Sequence, residues 1–147
     1  MQHKLNEMIV LAANRHAGQF DKGGSTYILH TLAVMYLVDS DDDEIKQIAV
    51  GHDLFEDTDT TARELKELGF SDRVINGIMA LTKQNGETYE EYKAKVLANK
   101  DAIKVKIADL KHNTDIKRLK GVTPKDIARM EKYFKFYVEL VEFQKKA

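Results

Sequence analysis

The sequence predicts an all-α fold: a single-domain orthogonal helical bundle spanning residues 1–147, with seven or eight helices and no sheet. Three observations predict it. Apolar residues recur at helical spacing along nearly the whole chain, and runs alternating apolar with polar are few. The chain holds one proline, Pro124, in 147 residues. The stretches between periodic segments are short, without repeats, low-complexity tracts or linkers, and the length is that of one ordinary domain.

The spacing predicts a first helix over 5–17, with Met8, Ile9, Ala12 and Ala13 on its buried stripe, ended by Gly18. Positions 19–25, with Gly23 and Gly24, read as a loop. A second helix over 28–38 carries Leu32, Met35 and Tyr36 at helical spacing. The acidic run from Asp39 to Glu44 precedes a third helix over 45–55, where its charge opposes the positive end of the helix dipole. Thr61 with Glu64 forms a capping-box pattern for a short helix that stops at Gly69, and Ser71 caps the next, through Leu81. Thr88 with Glu91 opens a helix ending near Asn99. The run Ile103 to Ile107 alternates with lysines, yet no partner strand exists for it, so helix is expected there too. Thr123, Pro124 and Asp126 start the last helix. It is expected to run to the C-terminus with Ile127, Met130, Phe134, Tyr137, Val138 and Val141 inward. Its apolar groups nonetheless occupy more than one face, and the sequence leaves the oligomeric state open.

Composition narrows the class of function. Apolar residues at 43% and charged residues at 32% are globular proportions,. No apolar run approaches the roughly 20 residues needed to span a bilayer, and the N-terminus lacks a signal-peptide layout, so no membrane partner is expected. The absence of cysteine excludes disulfides and thiolate metal sites, and a reducing cytoplasm is the expected location. A net charge of −1 gives no global attraction for nucleic acid,.

The chemistry concentrates in His52-Asp53-Leu54-Phe55-Glu56-Asp57, at the end of an otherwise apolar helix. On this helix His52 and Glu56 are expected to share a face, and Asp53 and Asp57 the adjoining one. Burying such groups unpaired costs several kcal/mol each, roughly, and a divalent cation is the natural partner. His30, between Leu29 and Leu32, interrupts its helix in the same way, as does Asp109 after Val105, Ile107 and Ala108. Each alone has a bland reading: His30 as a core histidine, Asp109 as a capping or ion-paired residue, His-Asp as a chance dipeptide. Together, His30, His52, Asp53 and Asp109 from three separated helices would form one mononuclear site with water in its open positions. Around Asp109, residues 100–120 hold seven Lys or Arg against three Asp. Lys111, Lys117 and Arg118 could face a polyphosphate, as could Lys22, although for most of them other than Lys22 a solvated face is the better account.

Two other motif matches fail on context. Asp57-Thr-Asp59-Thr-Thr61 fits the DxDxT pattern of aspartate-nucleophile phosphatases, which needs a strand immediately before it. The run Asp39-Ser-Asp41-Asp-Asp43 resembles the start of a calcium loop, but Glu44 and Val50 occupy the positions for Gly and the bidentate Glu.

The matching stretches His16-Ala-Gly-Gln19, Lys22, Tyr27-Ile-Leu-His30, His52-Asp-Leu-Phe-Glu-Asp-Thr58 and Ile107-Ala-Asp-Leu-Lys-His-Asn113 resemble the HD-domain phosphohydrolase superfamily. Within it they are most similar to the hydrolase domains of RelA/SpoT-type enzymes and small stand-alone (p)ppGpp hydrolases. The resemblance covers about residues 12–119. It implies that His30, His52, Asp53 and Asp109 hold Mn²⁺ or another divalent transition metal. It implies that Glu56 and Asp57 orient and deprotonate the attacking water, that Asn113 contacts the nucleotide and that Lys22 matches a basic residue of the family's loop; Tyr27 and Lys111 are further candidates for facing the substrate. The implied reaction is hydrolysis of guanosine 3′,5′-bis(diphosphate) at the 3′ position, with another nucleotide or phosphate ester as the alternative. No synthetase domain fits this length. A non-catalytic nucleotide sensor is the competing class, and the presence of both Glu56 and Asp57 favours the enzyme. The chain departs from the family pattern at Asp21, where an Arg is usual, at Thr26, where a Pro is common, and at Asp115 and Ile116.

Overall fold

The computed structural model describes residues 3–146. Among the described residues nine α-helical segments follow one another: α1 (Lys4–Arg15), α2 (Ile28–Leu37), α3 (Asp43–Gly51), α4 (Leu54–Asp57), α5 (Ala62–Glu67), α6 (Asp72–Ala80), α7 (Tyr89–Leu97), α8 (Lys100–Asn113) and α9 (Pro124–Lys146). A 3₁₀ turn, Ile116–Arg118, separates the last two. The described residues contain no strand; one isolated bridge between Phe20 and Thr26 pins the turn before α2. The all-helical class is as expected. The extra segment arises because the predicted 45–55 helix breaks at His52 and Asp53.

Side chains at the helix starts explain most boundaries. Ser71 accepts from the Val74 amide, and Thr88 with Glu91 forms a reciprocal capping box. Thr123 and Asp126 bond each other's amides in the same way at α9. Thr61 accepts from the Glu64 amide, but the Glu64 carboxylate turns to Arg15 instead of returning to the cap, so that expected box is half formed. The acidic run before α3 resolves into an N-cap. Asp42 accepts from the Glu44 and Ile45 amides and pairs with Arg73 at 2.9 Å.

α3 is the central element. Ile45, Gln47, Ile48, Ala49, Val50 and Gly51 are buried, and the helix packs against α1, α2, α6 and α8. Two glycines permit this crowding. A Cβ at Gly51 would sit 2.9 Å from Met8 of α1 and from Ile78 of α6, and one at Gly77 would overlap the Ile48 side chain. Gly77→Ala is therefore expected to destabilise the fold by about 1–3 kcal/mol through overpacking, measured by urea unfolding.

Three buried faces differ from the sequence expectation. On α1, Met8 and Ala12 are buried, but Ala13 is exposed and Leu5, Ile9 and Leu11 pack at the margin. On α2 the buried set is His30, Thr31 and Val34, and Tyr36 is exposed. On α9 the register is rotated: Phe136 and Leu140 are buried, Tyr133 and Tyr137 pack beside them, and Ile127, Phe134 and Val138 are exposed. Phe136 wins because it meets Tyr89 and Tyr92 of α7 edge-on, at ring centroid distances of 5.9 and 6.3 Å.

Candidate metal centre and active site

α2, the α3–α4 break and α8 bring His30, His52 and Asp109 together. All three are buried, and each offers a ligand atom within 4.8 Å of the others. The break orients His52. Its Nδ1 lies 2.7 Å from the Ala49 carbonyl, which can only accept, so Nδ1 carries the proton and Nε2 the lone pair. Nε2 then faces Asp53 Oδ2 at 3.1 Å and Asp109 Oδ1 at 3.2 Å without a hydrogen-bond partner. A lone pair aimed at two carboxylate oxygens is repulsive unless a cation stands between them. Without a metal, that cation is a proton. Burial pulls the His52 pKa down, but Asp53 and Asp109 outweigh it and leave it well above the ordinary histidine value. This donor set of nitrogen and carboxylate oxygen, without sulfur, fits a divalent transition metal.

Neighbouring groups lock these candidate ligands in place. His30 Nε2 lies 2.9 Å from Asp109 Oδ1, and its Nδ1 lies 2.7 Å from His112 Nδ1. Burial, Arg118 and His30 push His112 down to about 4. His112 is thus neutral at pH 7 and can accept from His30 Nδ1–H, so that a bound metal would find His30 Nε2 free to coordinate once it gives up its hydrogen bond to Asp109,. Asp53 accepts from the Tyr27 hydroxyl. Asp109 Oδ1 accepts from Asn113 Nδ2 at 3.1 Å, and Oδ2 from Lys106 Nζ at 2.9 Å. Burial opposes ionisation of Asp109, but Lys106 and the two histidines hold its carboxyl well below the usual range. Lys106→Met is expected to weaken Mn²⁺ binding about 10–100-fold, read by isothermal titration calorimetry.

Glu56 and Asp57 sit at the rim on α4. The expectation that His52 and Glu56 share one helical face fails, because the helix is interrupted between them: the ring goes inward and the carboxylate outward. Glu56 accepts from the Lys83 amide. Burial, together with the charge of Asp53, raises the pKa of both carboxyls, and Asp57 adds to the effect at Glu56. The Asp57 carbonyl accepts from Gln19 Nε2 at 2.8 Å, and Gln19 Oε1 lies 2.8 Å from buried His16 Nδ1. The His16-Gln19 pair, quoted above only as a matching stretch, thus ties the end of α1 to α4.

A cavity of about 320 Å³ adjoins this cluster, lined among others by Asp21, Lys22, Tyr27, Asn113, Arg118 and Tyr133. Lys22, Tyr27 and Asn113 therefore line one cavity. Lys111 and Lys117 are exposed and do not line it; Lys111 projects from α8 away from the Asp109 side. Arg129 and Tyr133 of α9 also line it, and no local motif marks them. Sequence reading likewise missed Lys106, which looks like one more lysine in a basic stretch.

No family model matches the chain. It is 34% identical over 116 residues to a guanosine-3′,5′-bis(diphosphate) 3′-pyrophosphohydrolase of Haemophilus influenzae, covering 71% of this chain and 17% of that one. It is 30% identical over 124 residues to a GTP pyrophosphokinase of Myxococcus xanthus, covering 74% and 16%. The chain therefore spans about one sixth of the length of these two relatives. A guanosine-3′,5′-bis(diphosphate) 3′-pyrophosphohydrolase of Danio rerio is 29% identical over 151 residues, covering 94% of this chain and 82% of that one. The fold matches a solved structure of a metazoan ortholog of SpoT that hydrolyzes ppGpp, with a TM-score of 0.76 at 24% identity, over 97% of this chain and 86% of that one. The chain is thus similar in sequence to RelA/SpoT-type (p)ppGpp enzymes and shares the fold of one of them. Against the pattern these relatives share, Asp21 is the departure with a structural answer: it pairs with Arg118 at 2.9 Å across the cavity edge.

Proposed function

We propose that this HD-domain protein is a Mn²⁺-dependent hydrolase that converts guanosine 3′,5′-bis(diphosphate) and water into GDP and pyrophosphate. The single observation that carries the reading is the His52 Nε2 lone pair set against Asp53 and Asp109 beside a cavity lined by Lys22, Arg118 and Arg129 and of nucleotide-binding size,. The names of the relatives supply the substrate class. His30, His52, Asp53 and Asp109 would hold the metal. When bound it would polarise a phosphoryl oxygen and lower the pKa of water. The protein's own groups do the rest. Asp57, whose carboxylate has no hydrogen-bond partner among the described residues, takes the proton from the attacking water, and Glu56, tied to the Lys83 amide, orients it. Tyr27, Lys106, Asn113 and His112 keep the ligand atoms aimed inward. Lys22 and Arg118 hold the negative charge of the nucleotide. No helix among the described residues is long and apolar enough to cross a membrane, and a cytoplasmic site of action is part of this reading.

The test is to incubate metal-stripped protein with Mn²⁺ and ppGpp, pppGpp, GTP, ATP, dNTPs and nucleoside monophosphates, and to separate products by ion exchange. GDP with pyrophosphate from ppGpp, absent in a His52→Ala/Asp53→Ala variant, is the expected result. Asp21, Asp115 and Ile116 favour keeping a second reading, hydrolysis of another nucleotide or phosphate ester. Turnover of a different panel member with ppGpp untouched would establish that reading instead. Metal and nucleotide binding without any turnover would point to a sensor.

A further inference from the structure

The turn between α1 and α2 is stitched to the segment after α8 at one point, although 97 positions separate the two partners. Asp21 Oδ1 accepts from the Gly23 amide at 3.0 Å and the Ser25 amide at 2.9 Å. This closes the turn on itself and leaves Oδ2 for Arg118 Nη2 at 2.9 Å. Gly23 presses so closely on the Arg118 carbonyl that a Cβ there would overlap it, so the two segments also meet backbone to backbone. Arg118 Nη1 donates to the His112 carbonyl at 2.9 Å and to Asn113 Oδ1 at 3.2 Å. Asn113 Nδ2 in turn donates to Asp109. A continuous line of hydrogen bonds thus runs from the turn to the metal-ligand cluster: Asp21, Arg118, Asn113, Asp109.

The guanidinium is planar and carries five N–H groups. Three of its hydrogen bonds go to Asp21, His112 and Asn113. The Nε–H and the second Nη2–H remain uncommitted among the described residues, and Arg118 lines the cavity beside Lys22. Asp21 and Arg118 are both mostly buried, at 13% and 20% side-chain exposure, so the pair is held more firmly than a surface ion pair. Burial opposes ionisation of Asp21, but Arg118 and the two turn amides keep its carboxyl below the usual range.

We propose that Asp21 is a positioning residue for substrate binding, which through Arg118 fastens the turn over the cavity and presents the guanidinium to the anionic part of a nucleoside diphosphate. This rests on the nucleotide reading above, and adds to it the residue pair that sets affinity in this chain. The carboxylate at position 21 places the cation on the opposite wall, at position 118.

The test uses GDP, the product, which the proposed reaction does not consume. GDP affinity of the Mn²⁺-loaded protein is measured by calorimetry, alongside kcat and KM for ppGpp, in Asp21→Asn, Arg118→Gln, Arg118→Lys and the double variant Asp21→Asn/Arg118→Gln. Asp21→Asn keeps the oxygen that serves both turn amides, and unaltered Mn²⁺ binding reports that the fold is intact. The expected result is GDP binding weakened about tenfold by Asp21→Asn and at least as much by Arg118→Gln, since a charge-assisted bidentate donor is lost. The loss falls on KM rather than kcat. The double variant is no weaker than Arg118→Gln alone, because Asp21 acts through Arg118, and Arg118→Lys recovers only part. Unchanged GDP affinity in both single variants, or losses that add in the double variant, overturn the proposal while the nucleotide reading stands. A wild-type protein that binds Mn²⁺ but no GDP overturns both.

Discussion

Asp109→Asn is expected to remove metal binding and, with it, hydrolysis by about 10³-fold or more, since the metal's contribution to transition-state stabilisation amounts to several kcal/mol. Asp109 is the centre of the cluster: its Oδ1 faces His30 at 2.9 Å and His52 at 3.2 Å, while Oδ2 faces Lys106. The amide keeps the side-chain shape but supplies no charge. Asp109→Ala should be worse for the fold, because it leaves the Lys106 ammonium buried without its carboxylate, a loss of about 3–5 kcal/mol. Calorimetry with Mn²⁺ and a thermal melt separate the two effects. Unchanged metal stoichiometry in Asp109→Asn would mean the ion sits elsewhere. Protons give a second readout. The folded-state pKa of His52 lies above its unfolded value, so in metal-free protein its stabilising contribution is complete below the unfolded pKa and is lost as pH rises through the folded one. Metal binding must expel that proton. Mn²⁺ affinity should therefore rise with pH over that window, and titrations in buffers of different ionisation enthalpy should show proton release.

Asp57→Asn is expected to lower kcat by roughly 10²–10⁴-fold with metal affinity retained, the range for losing a general base. Glu56→Gln should cost less, because the amide oxygen can still accept from the Lys83 N–H. Both carboxyls have raised pKa values, and a base works only when its proton is off. The rate should therefore fall as pH drops through values above the ordinary carboxylate range, and Asp57→Asn should flatten that limb. A profile unchanged by Asp57→Asn would assign the base elsewhere.

The sequence by itself determined the helical class, most helix starts and the four candidate ligands. These are short-range properties: capping residues act within three positions, and His30, His52, Asp53 and Asp109 each interrupt an apolar run in a way visible locally. What it could not determine is which of two faces α9 buries. Ile127, Phe134 and Val138 recur at helical spacing as readily as Tyr133, Phe136 and Leu140, and only Tyr89 and Tyr92 on another helix choose between them. Nor could it place the break at His52, since no proline marks it and Gly51 through Asp57 reads locally as unbroken helix. The groups that aim the ligands were equally hidden. His112 meets His30 across 82 positions, and Arg118 meets Asp21 across 97. Lys106 differs from the surface lysines around it only in being buried beside Asp109. Ligand identity follows from residue type, which the chain carries in one dimension; ligand orientation follows from long-range contacts and burial, which exist only after the helices have packed.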